Sequence, residues 1–218
     1  MQPALRMIIF GRQGAGKGTQ SSHLAEHFGV PHISTGDMLR ASAATGSEFG
    51  QTVKAIMDVG GLVPDEMMDG VVRERLAMPD AAIGFLLDGY PRTQPQAEFL
   101  KSILAPEAID LTINLEVPEE VVVERITHRR VCESCRTIYA VGDESADSGV
   151  CVKCKGSVVQ RADDTEESVR KRLATYRAET EPLMAWFKDH ETPLLVVDGV
   201  GTPDEVADAL VASIEAAR

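Results

Sequence analysis

The chain has 218 residues, 44% of them hydrophobic and 26% charged, as expected of an ordinary soluble globular protein with one good-sized core or two small ones. Thirty-four acids against 22 bases leave a net charge of -12, which opposes the electrostatics of a general DNA or RNA binder. The start of the chain lacks a basic segment followed by an apolar run, and nowhere do about 18 apolar residues run together, so neither a secretion signal nor a membrane span is expected.

The first strand is predicted at Met7 to Phe10 and the first helix at Ser21 to Phe28, with Leu24, Ala25 and Phe28 on one face and Gly29 as its stop. Between them lies GRQGAGKGTQ, residues 11 to 20. Glycines there let the backbone curl so that successive N-H groups point inward, and the following helix adds its positive end to the same spot. Gly14, Ala15, Gly16, Lys17, Gly18 and Thr19 are therefore expected to hold the phosphates of a nucleotide. Lys17 supplies a cation for the outer phosphates, and Thr19 is placed to orient a hydrated magnesium ion. The usual phosphate loop writes Ser or Thr straight after the lysine; here Gly18 intervenes.

Further strands are predicted at His32-Ile33, Phe85 to Leu87, Leu111 to Val117 and Leu194 to Val197, and helices at Gln51 to Val59, Asp65 to Ala77 and Glu166 to Phe187. This alternation predicts an α/β fold with a mostly parallel sheet. Several strands end in polar residues (Gly11, Ser34-Thr35, Asp88-Gly89, Asp198-Gly199), where open α/β sheets bind ligands. Two stretches, about 35 to 63 and 127 to 164, interrupt the alternation and read as insertions; the second shows little helical periodicity.

In STGDMLR, residues 34 to 40, either Ser34 or Asp37 is suited to cap a helix, and Arg40 falls about one turn into it, within reach of the strand ends. In LLDGYPRTQPQ, residues 87 to 97, Asp88 closes an apolar strand as a magnesium-ordering carboxylate would, Gly89 admits a close ligand, and Arg92 follows Pro91. A tight turn explains the glycine and prolines but not the shared carboxylate and arginine. Arg125 and Arg129 stand four apart, and Arg161 and Arg172 follow; the planar guanidinium fork suits phosphate oxygens. For Arg170 to Arg172 the alternative is a solvated helix face with Glu166-Arg170 and Glu167-Lys171 pairs. Asp164 with Glu167 has the spacing of a capping box. Trp186 and Phe187 read as core, and His23, His27, His32 and His190 are assigned no chemistry.

All four cysteines fall in one stretch: Cys132 and Cys135, fifteen residues, then Cys151 and Cys154. Clustering within a larger chain points to metal ligation in a reducing compartment, with the cytoplasm as the default. Four thiolates leave no open position, so the metal is expected to be structural zinc, although iron suits the same ligands and two pairs of reduced or redox-active thiols are the alternative.

Together these motifs, including GKGT, closely resemble the adenylate kinase family over nearly the whole chain, in particular its bacterial long form with a zinc-binding lid. A glycine between lysine and threonine is usual there. The resemblance implies a P-loop nucleoside monophosphate kinase fold: a five-stranded parallel sheet flanked by helices, with a monophosphate-binding insertion and a zinc-containing lid. It divides the chain into core segments 1–34, 64–126 and 165–218, a monophosphate-binding insertion at 35–63 and a lid at 127–164. The implied reaction is reversible, magnesium-dependent transfer from ATP to AMP, giving two ADP.

Carried over residue by residue, the resemblance implies that Arg40 and Arg92 hold the AMP phosphate. Thr35, Gly89 and Gln96 contact the adenine or its surroundings, and the backbone near Leu62 and Val63 lines the same pocket. Arg125 and Arg129 reach the ATP phosphates, while Arg161 and Arg172 reach the transferring phosphate. Thr35 favours AMP, since similar pyrimidine monophosphate kinases tend to carry alanine there. Two departures stand out: Arg12-Gln13 where a proline is common, which adds a charge at the mouth of the site, and His128 where glycine is common. The family also implies a monomer. Two competing readings are a kinase of another nucleoside monophosphate, and a nucleotide-dependent binding module whose zinc knuckle engages RNA or a partner; only ten aromatic residues and the acidic balance oppose the latter.

Overall fold

The computed structural model describes residues 4–140, 142–161 and 163–218. In chain order, the first half runs β1 (Leu5–Phe10), α1 (Lys17–Phe28), β2 (His32–Ser34), α2 (Thr35–Ala44), α3 (Glu48–Asp58), α4 (Asp65–Leu76), β3 (Gly84–Asp88), α5 (Gln94–Leu104) and β4 (Leu111–Glu116). The second half runs α6 (Glu119–His128), β5 (Arg130–Cys132), β6 (Ile138–Tyr139), α7 (Glu144–Ser148), β7 (Val158–Val159), α8 (Glu166–Thr175), α9 (Pro182–Asp189), β8 (Leu194–Asp198) and α10 (Pro203–Ala217).

Five strands form a parallel sheet in the order β2-β3-β1-β4-β8. The central strand, β1, reads LRMIIF and is buried on both faces, which is why its sequence is nearly continuous apolar rather than alternating. Its pleat divides the core in two. Met7 and Ile9 face Leu24 of α1, Val122 and Ile126 of α6, and Leu210 and Ile214 of α10. Ile8 and Phe10 face Leu39, Val53, Val72, Leu100 and Phe187 from the helices on the opposite side. Register carries the strand ends to one edge: Ile9 pairs with Asp88, and Ser34 with the same Asp88 from the other side.

The two interruptions of the alternation fold differently. Residues 35–63 hold α2 and α3, the first capped by Ser34, whose Oγ accepts from the Asp37 N-H at 3.3 Å, and the second by Ser47. Helix α3 begins at Glu48, earlier than the predicted Gln51, because Ser47 supplies that cap. Residues 127–164 hold a small antiparallel sheet in the order β6-β5-β7 and the short helix α7. The buried cluster of this unit consists of Cys132, Tyr139, Cys151 and Val158, too little apolar matter for an independent core.

Three expectations need correction. Helix α1 starts at Lys17 rather than Ser21, immediately after Gly16 in the left-handed region at φ 101°. The stretch predicted as one helix from Glu166 to Phe187 is α8 and α9 separated by a π-helical turn over Tyr176–Thr180, where the Glu181 N-H reaches back five residues to the Tyr176 carbonyl at 2.9 Å. Pro182 follows at once and has no N-H to continue the regular ladder, so the wider turn absorbs the break. Finally, Asp164 and Glu167 do not form a capping box: Thr165 caps α8 through the Ser168 N-H at 3.2 Å, which leaves Asp164 free to bind elsewhere. No helix among the described residues is long and apolar enough to cross a membrane.

Candidate active site

A cavity of about 1400 Å³ opens along the carboxyl edge of the sheet. That exceeds the roughly 300 to 1,000 Å³ typical of a pocket for one small molecule. Its floor is the loop between β1 and α1, where Gly14 and Gly16 adopt φ of 84° and 101°. A methyl group on Gly14 would lie 2.6 Å from Ile126 Cγ1 and 2.9 Å from the Val122 carbonyl oxygen, so the loop is seated directly on α6. Gly14, Ala15, Gly16, Lys17, Gly18 and Thr19 all line the cavity, with the positive end of α1 facing it.

Lys17 Nζ donates to the carbonyl oxygens of Gly11 at 2.7 Å and Arg12 at 3.0 Å. Burial lowers its pKa to about 8, with Arg92 and Arg129 adding to the effect and Asp88 opposing it. Asp88 ends β3 beside it. Burial works to raise that carboxyl, but His32, Lys17 and Arg92 outweigh it and hold Asp88 below the ordinary carboxylate range. His32, assigned no role from sequence, thus stands at the centre of the site: its Nε2 lies 3.6 Å from Asp88 Oδ2.

Seven arginines line the same space, Arg136 of the 127–164 insertion among them. Arg40 Nη2 donates to Asp37 at 2.7 Å on the first turn of α2. Arg92 is held by its Nε bond to the Gly89 carbonyl at 2.8 Å, and Thr180 of the π-helical turn donates to the Arg92 carbonyl at 3.0 Å. Arg125 Nη1 reaches the Ala15 and Gly199 carbonyls at 3.4 and 3.1 Å. Arg129 grips Asp164 with two prongs, and Arg172 grips Asp163 at 2.6 Å and the Ser168 hydroxyl at 3.0 Å. Burial, then the guanidinium groups of Arg40 and Arg129, push Arg161 down to about 10; it stays charged at neutral pH. So many cations gathered in an acidic chain call for an anionic occupant.

On the far side, Thr35, Leu62, Val63, Gly89 and Gln96 form an uncharged end of the cavity. Thr35 donates to the Asp88 carbonyl at 3.3 Å, and Gln96 is only 2% exposed. Arg136, Thr137, Ile138 and Tyr139 of the insertion at 127–164, with Tyr176, Gly199 and Gly201, complete the lining. Of these, sequence reasoning singled out Gly199 alone, as the polar end of a strand; nothing in the type or spacing of the others marks them. Ile138 hangs over the loop: its Cδ1 would lie 3.7 Å from a methyl group on Gly18. His128 lines the cavity as well. Arg12 does not, contrary to expectation; its Nη1 turns to the Val117 carbonyl at 3.1 Å.

The four cysteine sulfur atoms lie within 4.8 Å of one another. Cys132 to Cys154 and Cys135 to Cys151 measure 3.4 and 3.5 Å, close to the edge of about 3.8 Å of a tetrahedron with metal-sulfur bonds of about 2.3 Å. The Cys135 N-H and the Tyr139 hydroxyl approach Cys132 and Cys151 at 3.5 and 3.1 Å, as outer partners of thiolate ligands do.

The surface pairs are plainer. Arg170 meets Glu166 at 2.7 Å as predicted, whereas Glu167 and Lys171 are not among the ion pairs of the described residues. Phe187 is buried and Trp186 packs against it edge-on, with His190 stacked on the indole.

Residues 9–192 match the profile of the adenylate kinase family. The chain is 48% identical over 203 residues to the adenylate kinase of Anaeromyxobacter dehalogenans, covering 92% of this chain and 94% of that one. It is 45% identical over 214 residues to the adenylate kinase of Thermodesulfovibrio yellowstonii, covering 97% and 99%. The adenylate kinase of Archaeoglobus fulgidus is 48% identical over 187 residues, with 84% and 86% covered.

Proposed function

The chain belongs to the adenylate kinase family, and from that premise we propose how it carries a phosphoryl group from ATP to AMP to give two ADP. The observation that carries the assignment of roles is the single cavity in which the phosphate loop, Asp88 and seven arginines meet an uncharged pocket around Thr35 and Gln96. Its size and two unlike ends suit two nucleotides placed with their phosphates together.

ATP lies with its phosphates in the Gly14 to Thr19 loop, beside Lys17, Arg125 and Arg129. AMP lies with its phosphate between Arg40 and Arg92 and its base against Thr35, Gly89, Gln96 and the Leu62-Val63 backbone. Arg161 and Arg172 reach the group in flight. Transfer between two anions needs alignment and charge compensation more than a base. Arginines already anchored to carboxylates and carbonyls meet the developing charge with little reorganisation. Asp88 and Thr19 provide the hard oxygen atoms that suit magnesium, which arrives with ATP and offsets charge on its phosphates.

Residues 127–164 act as the lid and 35–63 as the monophosphate-binding unit on a core of 1–34, 64–126 and 165–218. Ile138 over Gly18 and Gly60 packed against Ser168 and Arg172 bring both units down on the cavity, which keeps water from the phosphoryl group. The four cysteines hold a structural zinc that stands in for the core the lid lacks. Every residue assigned a role lies in one chain, so a monomer suffices. Free thiols suit a cytoplasmic protein, and the net charge of -12 argues against nucleic acid as a partner.

Phosphorus NMR of the purified protein with magnesium and ATP, supplied in turn with AMP, GMP, CMP, UMP or no acceptor, tests this. ADP forming rapidly with AMP alone is expected. Preference for another monophosphate would move the substrate, and slow hydrolysis indifferent to acceptor would remove the kinase assignment.

A further inference from the structure

Gln96 sits at the uncharged end of the cavity with both ends of its side-chain amide already engaged. Its Oε1 accepts the backbone N-H of Arg92 at 2.8 Å, and its Nε2 donates to Asp65 Oδ1 at 2.7 Å. The second carboxylate oxygen of Asp65 accepts the Thr93 hydroxyl at 2.9 Å. Around this triad Tyr90 is 1% exposed, and its hydroxyl donates to Asp69 Oδ1 at 2.7 Å while lying 3.2 Å from the Gln96 carbonyl oxygen.

The amide can stand in one orientation alone. A backbone N-H only donates and an ionised carboxylate only accepts, so rotating the amide by half a turn would set Oε1 against the Asp65 oxygen and Nε2 against the Arg92 N-H. Both hydrogen bonds would become repulsive contacts in a buried place, which costs far more than losing two bonds in water.

We propose that Asp65 sets the acceptor-base specificity of the enzyme by locking the Gln96 amide in this orientation. One N-H and one oxygen lone pair of Gln96 remain for a ligand. They complement a base edge that accepts at its ring nitrogen and donates from an exocyclic amine, as adenine does. Guanine and hypoxanthine present the reverse order, a ring N-H beside an exocyclic oxygen, and an unlocked glutamine would rotate to suit them. Asp65 is a positioning residue here; the contact is made by Gln96. The inference rests on the reading of Gln96 as the adenine contact.

The test compares AMP with inosine monophosphate, whose base carries the reversed edge without the extra amino group of guanine. With Asp65→Asn, residue 65 can present an amide nitrogen to Gln96 Oε1, which removes one of the two contacts that oppose the rotated amide and leaves the Arg92 N-H as the other. The AMP to inosine monophosphate ratio of kcat/KM is expected to fall about tenfold or more, chiefly through KM for the acceptor, with the KM for ATP unchanged. An unchanged ratio in a folded Asp65→Asn enzyme would overturn the proposal while leaving the kinase reading intact. Gln96→Ala is measured in parallel: if it too leaves the ratio untouched, Gln96 is not the base contact and the proposal falls with that assignment. Failure of the wild type to use AMP would sink both.

A measurement on the unmutated enzyme guards against a variant that fails to fold. The Gln96 side-chain amide, assigned in nitrogen-15 NMR by its absence from Gln96→Ala, is expected to show two well-separated proton resonances that exchange slowly with solvent before any nucleotide is added. Random-coil shifts and fast exchange would mean the amide is not locked.

Discussion

Arg129 donates to Asp164 through both Nε and Nη2, across 35 residues of chain, and the Asp164 side chain is wholly buried. The pair joins the strand of chain that enters the lid to the one that leaves it, so it closes the lid at its base. Breaking a buried pair from one side leaves an uncompensated charge, which costs about 3 to 5 kcal/mol. Asp164→Ala is therefore expected to lower the free energy of unfolding by about 3 kcal/mol, read from denaturant titration, and to raise the KM for ATP because Arg129 loses its anchor. Replacing both partners by apolar residues of similar volume should recover most of the stability and none of the ATP affinity. A single mutant as stable as the parent would show that the pair does not hold the lid.

Zinc should matter to the lid more than to the chemistry. Cys132, Tyr139, Cys151 and Val158 form its buried cluster among the described residues, so two of the four cysteines placed to hold a metal are also core. Cys135→Ser is expected to lose zinc, lower the melting temperature and retain most of its turnover at low temperature, where the lid still closes. Zinc content and melting temperature equal to the parent's would contradict this. Removing metal from the parent with a chelator should reproduce the mutant's melting curve.

The parts of the fold legible in the sequence are those with a strong local cause. Alternating strands and helices, the glycine loop and the paired cysteines each write their physics into neighbouring residues, and the structure places all four cysteine sulfur atoms together. What was hidden depends on contacts between distant segments. Asp164 beside Glu167 looks like a cap because local spacing says so, yet Arg129, remote in sequence, claims the carboxylate. His32 looks like one more polar residue in a short strand, and only the β2-β3 register sets it against Asp88. Arg12 carries no local sign that it will turn away to Val117. Asp65, at the start of an ordinary helix, gives no hint that it faces Gln96.

Two glycines of the loop should respond in opposite ways to alanine. At Gly14, with φ of 84°, a methyl group meets Ile126 Cγ1 at 2.6 Å and the Val122 carbonyl at 2.9 Å, and both belong to the helix that carries Arg125. Gly14→Ala must displace loop or helix by a large fraction of an ångström, so turnover is expected to fall by about a hundredfold and stability by about 1 to 3 kcal/mol. At Gly18, already helical, the nearest atoms to a methyl group are Ile138 Cδ1 at 3.7 Å and Asp88 Oδ2 at 3.9 Å. Gly18→Ala should melt no earlier than the parent, since alanine favours helix over glycine by about 0.5 to 1 kcal/mol. Any loss in that variant should appear in the nucleotide kinetics, because the methyl group enters the gap between loop and lid. Equal melting temperatures for the two variants would mean that the loop is not seated on α6 as described.

Lys17 ties nucleotide affinity to pH. Burial lowers its pKa to about 8 in the free protein, against 10.5 for an ordinary lysine. In the proposed role the lysine meets phosphate as a cation, and phosphate oxygens beside it would raise its pKa again, so the nucleotide complex would hold the proton more tightly than the free protein does. Below pH 8 the proton is already present and this group contributes no pH dependence. Above pH 8, and up to the raised pKa of the complex, each binding event must take up a proton, so affinity should fall by a factor approaching tenfold per pH unit. Titration calorimetry with ATP at pH 7.0 and 9.0, in buffers of different ionisation enthalpy, should show weaker binding and net proton uptake at the higher pH only. Lys17→Met should bind weakly at both and lose the difference. Equal affinity of the parent at the two values would mean that Lys17 keeps an ordinary pKa when the site is empty, or that it does not meet the phosphates.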